Sequence, residues 1–161
     1  MVDGLNLLLV ASPSGLRAIT WHDAAPWPGS TRNDGNPVMR EAVRQLRAYF
    51  ARELREFRLP LDFQGTDFQK RVWHALLTIP YGETRSYSQI AAAIGSPKAV
   101  RAVGAANGAN PIPIVVPCHR VIGAGGSLVG YGGGLPLKKR LLALAGALAL
   151  ELRLSAAQET R

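Results

Sequence analysis

Between Thr66 and Asn107 the chain carries helix start and stop signals so closely spaced that only short helices fit between them. Thr66 and Gln69 have the spacing of a capping box, in which each side chain satisfies a free backbone N–H at the helix start. Phe68, Val72, Leu76 and Ile79 mark the buried face of that helix, and Pro80-Tyr81-Gly82 stops it. Ser86 and Gln89 repeat the box, Ile90 and Ile94 follow, and Gly95 takes the place of a left-handed C-cap. Ser96-Pro97 then reads as an N-cap with proline in the first turn, opening a helix from Lys98 to about Asn107. Two short helices around a Gly-containing turn make a helix-turn-helix. Ordinary helix packing gives the same pattern. What favours a DNA-binding role is the second helix, where Ala99, Ala102, Gly104, Ala105 and Ala106 surround Arg101. So smooth a surface could enter even a minor groove about 6 Å wide, with its one cation as a wedge.

Upstream, short apolar runs at Leu5 to Ala11 and Leu16 to Trp21 alternate with turn residues at Ser12-Pro13-Ser14-Gly15 and Pro26-Trp27-Pro28-Gly29. This predicts a β-hairpin and a loop. From Asn36 the period changes, and Met39, Val43, Leu46, Phe50, Leu54 and Phe57 form one stripe of a long helix ended by Leu59-Pro60. Two strands and a helix are too small to stand alone, so this part is expected to pack against the C-terminal half of the chain. Downstream, Ile114-Val115-Val116 reads as strand-like, glycines crowd positions 123–134, and a Leu-rich helix opens at Pro136 with Leu137, Leu141, Leu144 and Leu148 on one face.

The chain has 161 residues, 47% of them hydrophobic, enough for a sizeable core. Its net charge of +8 favours polyanionic partners, although solubility alone would also account for it. From Thr84 to Leu150 there is no Asp or Glu, whereas Arg85, Lys98, Arg101, Arg120, Lys138, Lys139 and Arg140 fall there. No apolar run reaches the roughly 18 residues of a membrane span, and the early one at Leu5 to Ala11 has no basic residue ahead of it. A cytoplasmic protein without signal peptide or anchor is expected. With one cysteine, Cys118, and three histidines, His22, His74 and His119, neither a disulfide framework nor a structural zinc site is expected.

A nucleophilic cysteine needs a base or cationic surroundings, because a thiol with pKa near about 8.5 is only slightly ionised at neutral pH. His119 and Arg120 stand next to Cys118 and are the obvious suppliers. Neighbours on a strand point to opposite faces, so His119 reaches the sulfur only if the chain turns, which Pro117 makes plausible. An inert buried thiol, a histidine on a backbone carbonyl and a surface arginine are the plain alternatives, and the residues alone leave these even.

Asn110-Pro111-Ile112-Pro113-Ile114-Val115-Val116-Pro117-Cys118-His119-Arg120-Val121, Gly65-Thr66-Asp67-Phe68-Gln69 with Val72-Trp73, Pro80-Tyr81-Gly82-Glu83-Thr84 and Arg101-Ala102-Val103-Gly104 together resemble the O6-alkylguanine-DNA alkyltransferase family. The likeness runs from Gly65 to about Leu144. It implies an α/β N-terminal segment, a ribonuclease-H-like sheet plus helix over 1–62, and a mainly α C-terminal domain with a helix-turn-helix over 63–148, leaving 149–161 as a tail. It also implies a monomer acting on double-stranded DNA, without cofactor or metal, that moves an alkyl group from O6-alkylguanine, or O4-alkylthymine, irreversibly to its own cysteine after base flipping. By position the resemblance makes Cys118 the acceptor, His119 its base, Tyr87 the proton donor to the leaving guanine, and Asn110 a brace of the cysteine loop. Arg101 becomes the finger that fills the gap, with Ala102 and Ala105 on the DNA-facing helix. Pro113 and Tyr131 line the alkyl pocket, Gly132 offers its N–H to O6, and the carbonyls of Cys118 and Val121 accept from the guanine amine.

One position departs from the family. The glutamate that orients the histidine is replaced by Ala145, and Glu151, six residues on, lies about 9 Å and 240° away along a helix. A thiol depends less on such a partner than a serine does, so slower but surviving transfer is expected. A lesion sensor that binds without transfer is the alternative, against which the retained Cys118 argues. A Cys-His hydrolase would need a third orienting group and an oxyanion hole that the sequence does not offer.

Overall fold

The computed structural model describes residues 1–21, 25–126, 128 and 130–146. The chain forms two compact units, one from Met1–Gln64 with Pro111–Val115, the other from Gly65–Asn110 and the residues from Val116 onward.

In the first unit β1 (Leu7–Ser12) and β2 (Gly15–Trp21) pair antiparallel from Leu7↔Trp21 to Ser12↔Gly15, the hairpin expected from the two apolar runs. Two further segments dock on β2. Leu16 donates to Pro60 O and accepts from Asp62 N, and Ile19 donates to Pro111 O. Asp62 accepts from Ser12, Arg17 and Gln64, which hold its carboxyl down at about 2. Helix α1 spans Pro37–Phe50, capped by Asn36, whose side chain accepts from Met39 N.

That helix is shorter than its periodicity predicts. Arg52 adopts φ 63°, a left-handed conformation that ends the helix, so Leu54 and Phe57 lie beyond it. Their spacing is nevertheless meaningful, because the chain doubles back and Phe57 packs on Tyr49, ring centroids 4.9 Å apart. The fold-back is pinned by Gln45, a buried polar residue on the apolar stripe, whose amide both donates to Arg58 O and accepts from Arg58 N. The most buried face of α1 accordingly runs through Ala42, Gln45, Leu46 and Tyr49, with Met39 and Val43 at its margin.

The second unit is helical. Helix α2 (Asp67–Leu77) and helix α3 (Tyr87–Ala93) both start with complete capping boxes, Thr66/Gln69 and Ser86/Gln89. Gly95 takes φ 75° just beyond α3, the left-handed residue that the sequence called for. Helix α4 covers Val100–Gly108. It begins later than expected: its cap is Ala99, without a side-chain hydrogen bond, and Ser96 instead closes a turn by accepting from Ala99 N. Helix α5 spans Leu135–Leu144, burying Leu137, Leu141 and Leu142. Leu148 and the tail after it lie outside the described residues.

Helices α2 and α4 are joined through Trp73, whose indole N–H donates 2.8 Å to Ala106 O while its ring lies over Gly65. A methyl group on residue 65 would come within 2.6 Å of that ring and 2.8 Å of the Gln69 oxygen that completes the α2 cap. Neither neighbour can yield without losing a hydrogen bond. Gly65→Ala is therefore expected to lower stability by about 1–3 kcal/mol, seen as an earlier urea midpoint with an unchanged m-value.

Candidate active site

The segment Ile114-Val115-Val116 is not a strand. Ile114 sits fully buried at φ 75°, a left-handed value that a β-branched residue rarely takes, and the chain turns instead of extending. The turning continues, because Cys118–Arg120 form one 3₁₀ turn. Immediately after it β4 (Val121–Ile122) pairs in parallel with β3 (Arg85–Ser86), in the register Arg85↔Val121 and Ser86↔Ile122. Tyr87, the first residue of α3, follows Ser86 directly, so this short pairing brings the Tyr87 end of α3 alongside the cysteine turn.

The turn is braced from outside. Asn110 donates 2.9 Å to Val116 O, Asn107 donates 3.4 Å to Cys118 O, and Lys138 donates 2.7 Å to Val121 O. Arg120 reaches away from the sulfur, donating 2.8 Å to Ile79 O with its guanidinium 5.7 Å from the Tyr81 ring centre. Arg120 and Lys138 are both buried, Lys138 completely. Such charges act over short distances with little screening.

Cys118 is 5% exposed and His119 1%. Burial pushes the Cys118 thiol up, while the Asn110 amide, the Lys138 charge and the backbone N–H groups of Cys118 and His119 pull it back. Burial also holds His119 well below the usual imidazole range, and the charges of Arg120 and Lys138 push the same way. The imidazole is therefore neutral at pH 7 and able to accept a proton. Its Nδ1 is buried without a hydrogen-bond partner among the described residues, and Ala145 is the residue that closes α5. Tyr87 is half-buried, and its hydroxyl is kept protonated by burial and by the charge of Cys118, against a hydrogen bond with Asn107 that favours ionisation.

Arg101, Ala102 and Ala105 share the exposed face of α4, whereas Val103, Ala106 and Asn107 are buried. Val121 is buried at the end of the turn. Tyr131, half-buried, and Gly132, exposed, lie in the connection before α5. Pro113 is buried and belongs to the first unit. Sequence reasoning missed Asn107 and Lys138. The only hint of Asn107 was a polar residue on the inner stripe of α4, four residues after Val103, and nothing in the local sequence separates Lys138 from its exposed neighbours Lys139 and Arg140.

Residues 6–63 match the ribonuclease-like domain of 6-O-methylguanine DNA methyltransferase, and residues 67–147 match the DNA-binding domain of the same family. The chain belongs to the 6-O-methylguanine DNA methyltransferase family. A methylated-DNA–protein-cysteine methyltransferase of Mycobacterium tuberculosis is 70% identical over 103 residues, 64% of this chain and 62% of that protein. The chain therefore spans a little under two thirds of the length of the mycobacterial relatives it matches. The protein of that name from Methanosarcina acetivorans is 63% identical over 113 residues, 70% of this chain and 72% of the relative. Among solved structures, Mycobacterium tuberculosis OGT in complex with DNA superimposes with a TM-score of 0.81 at 54% identity, over 92% of this chain and 91% of that one. The ribonuclease-like and helical DNA-binding parts expected from the sequence are thus both present.

The depressed imidazole has a consequence for stability. Below the ordinary histidine pKa of about 6.5 the unfolded chain binds a proton at His119 that the folded chain does not, so stability is complete above that pH and falls on acidification. Urea unfolding between pH 6.5 and 5 is expected to show a contribution from this residue that steepens toward about 1.4 kcal/mol per pH unit at the acid end. The slope should shrink by that amount in His119→Gln.

Proposed function

We propose that this chain repairs DNA by direct reversal, transferring an alkyl group from O6 of guanine, and from O4 of thymine, to Cys118 in a single turnover. Displacement at an sp³ carbon calls for a soft anionic nucleophile and a proton for the departing base. His119, neutral and buried, takes the thiol proton, with a water between them. The Cys118 sulfur attacks the alkyl carbon, the carbon–O6 bond breaks, and its electron pair leaves with guanine, which is protonated by Tyr87. The thioether has no route back, so each molecule acts once.

The target base must leave the stack to be reached, at a cost of a few kcal/mol. Arg101, the exposed cation on the small-residue face of α4, offsets part of that cost by filling the gap, with Ala102 and Ala105 against the groove. Cys118 O and Val121 O accept from the guanine amine, Asn110 braces the loop, Gly132 N–H faces O6, and Pro113 and Tyr131 serve the alkyl group. The single observation that carries this reading is the β3–β4 pair, which sets a protonated tyrosine and a cysteine turn with a neutral histidine side by side at the helix-turn-helix.

Incubation with an oligonucleotide bearing O6-methylguanine should raise the intact mass of the protein by one CH2, and Cys118→Ala should abolish the gain. Tight binding with no gain would assign the chain instead to lesion sensing, and repeated turnover to hydrolysis.

Ala145 sets the pace in this scheme, because the His119 Nδ1 that a carboxylate would orient has no hydrogen-bond partner among the described residues. Ala145→Glu is expected to accelerate transfer about tenfold or more, within the range of a well-placed acid–base partner, and to raise the imidazole pKa. The acid-side stability slope would then flatten along with the rate gain. Acceleration without flattening would mean that the new carboxylate acts elsewhere.

A further inference from the structure

Asn107 is the one polar residue on the buried face of α4, 6% exposed, among Val103 and Ala106. An amide is costly there unless it is used. Its Nδ2 donates to Cys118 O, an oxygen that already accepts from the backbone N–H of Val121, and its Oδ1 is buried with no partner among the described residues. One turn earlier on the same face Gly104 lets the Tyr87 ring lie close, since a methyl group there would sit 3.9–4.0 Å from the ring carbons. The inner side of α4 thus meets both Tyr87 and the cysteine turn, while its outer side carries Arg101.

We propose that Asn107 is a positioning residue that ties the Tyr87 hydroxyl to the backbone of Cys118, so that the helix bearing Arg101 fixes the distance between nucleophile and proton donor. The inference rests on the alkyl-transfer reading and adds to it a residue that acts through Tyr87. The hydrogen bond between the Asn107 amide and the Tyr87 oxygen favours the ionised phenol. It makes a tyrosine whose proton burial would otherwise retain a readier donor to the departing base. In the step concerned the sulfur–carbon bond forms, the carbon–O6 bond breaks, the Tyr87 proton passes to guanine, and water later restores the phenol.

The test compares two electrophiles on the full chain. O6-benzylguanine as free base needs a proton on its leaving group, whereas iodoacetamide, which loses iodide, does not. Asn107→Leu and the smaller Asn107→Ser are expected to slow benzyl transfer about tenfold, a fraction of what a general acid supplies, and to change the iodoacetamide rate at Cys118 by less than about twofold. The iodoacetamide rate reports an intact turn, and the Ser variant carries the test if the Leu variant does not fold. In a Tyr87→Phe background the same substitutions should cost nothing more, because the residue they act through is gone. Equal losses with both reagents, no loss with benzylguanine, or an undiminished loss in Tyr87→Phe would each overturn the positioning role. A parent protein that reacts with iodoacetamide and takes no benzyl group would overturn the alkyl-transfer reading itself.

Discussion

Three residues of 3₁₀ turn have too few hydrogen bonds of their own to hold a sulfur in one place. The Cys118–Arg120 turn is fixed instead by side chains that reach in to its carbonyls: Asn110 to Val116, Asn107 to Cys118 and Lys138 to Val121. Arg120 ties the same turn outward to Ile79. These donors come from α4, from the residue two beyond its end, from α5 and from the turn itself, so the cysteine is placed by the packing of the whole helical unit. A buried carbonyl left without such a donor costs about 1–3 kcal/mol, and the helices and the turn therefore stabilise one another.

The same contacts shape the chemistry. A cation sealed beside a thiol and an imidazole acts through a medium that screens it poorly. Lys138 eases ionisation of the sulfur and opposes protonation of the histidine, so it favours the thiolate while keeping the imidazole neutral.

Local rules carried the sequence a long way in the helical unit. Both capping boxes and the left-handed glycine after α3 rest on residues within four positions of one another, and they are as expected. The misreadings arise where distant residues decide. Leu54 and Phe57 keep the helical period yet lie in a return stretch, because Gln45, thirteen residues from Arg58, can close a backbone clamp that periodicity cannot see. Ser96-Pro97 has the composition of a helix start but serves as a turn before Ala99. Ile114-Val115-Val116 has the composition of a strand, and burial of Ile114 at a left-handed φ overrides it. Of the site, the Cys-His-Arg run was legible, whereas the burial of Lys138 and Arg120 was not, since the identity of a charged side chain carries no information about its depth.

The donors around the turn bond to main-chain oxygens, and this distributes evolutionary freedom unevenly. Positions 79, 116 and 121 contribute only a carbonyl to the framework, which every amino acid possesses, so drift there alters volume and leaves the polar scaffold standing. Asn107, Asn110, Arg120 and Lys138 have no such latitude. A lineage could exchange the aliphatic side chains at these three positions many times over while four polar side chains stay locked.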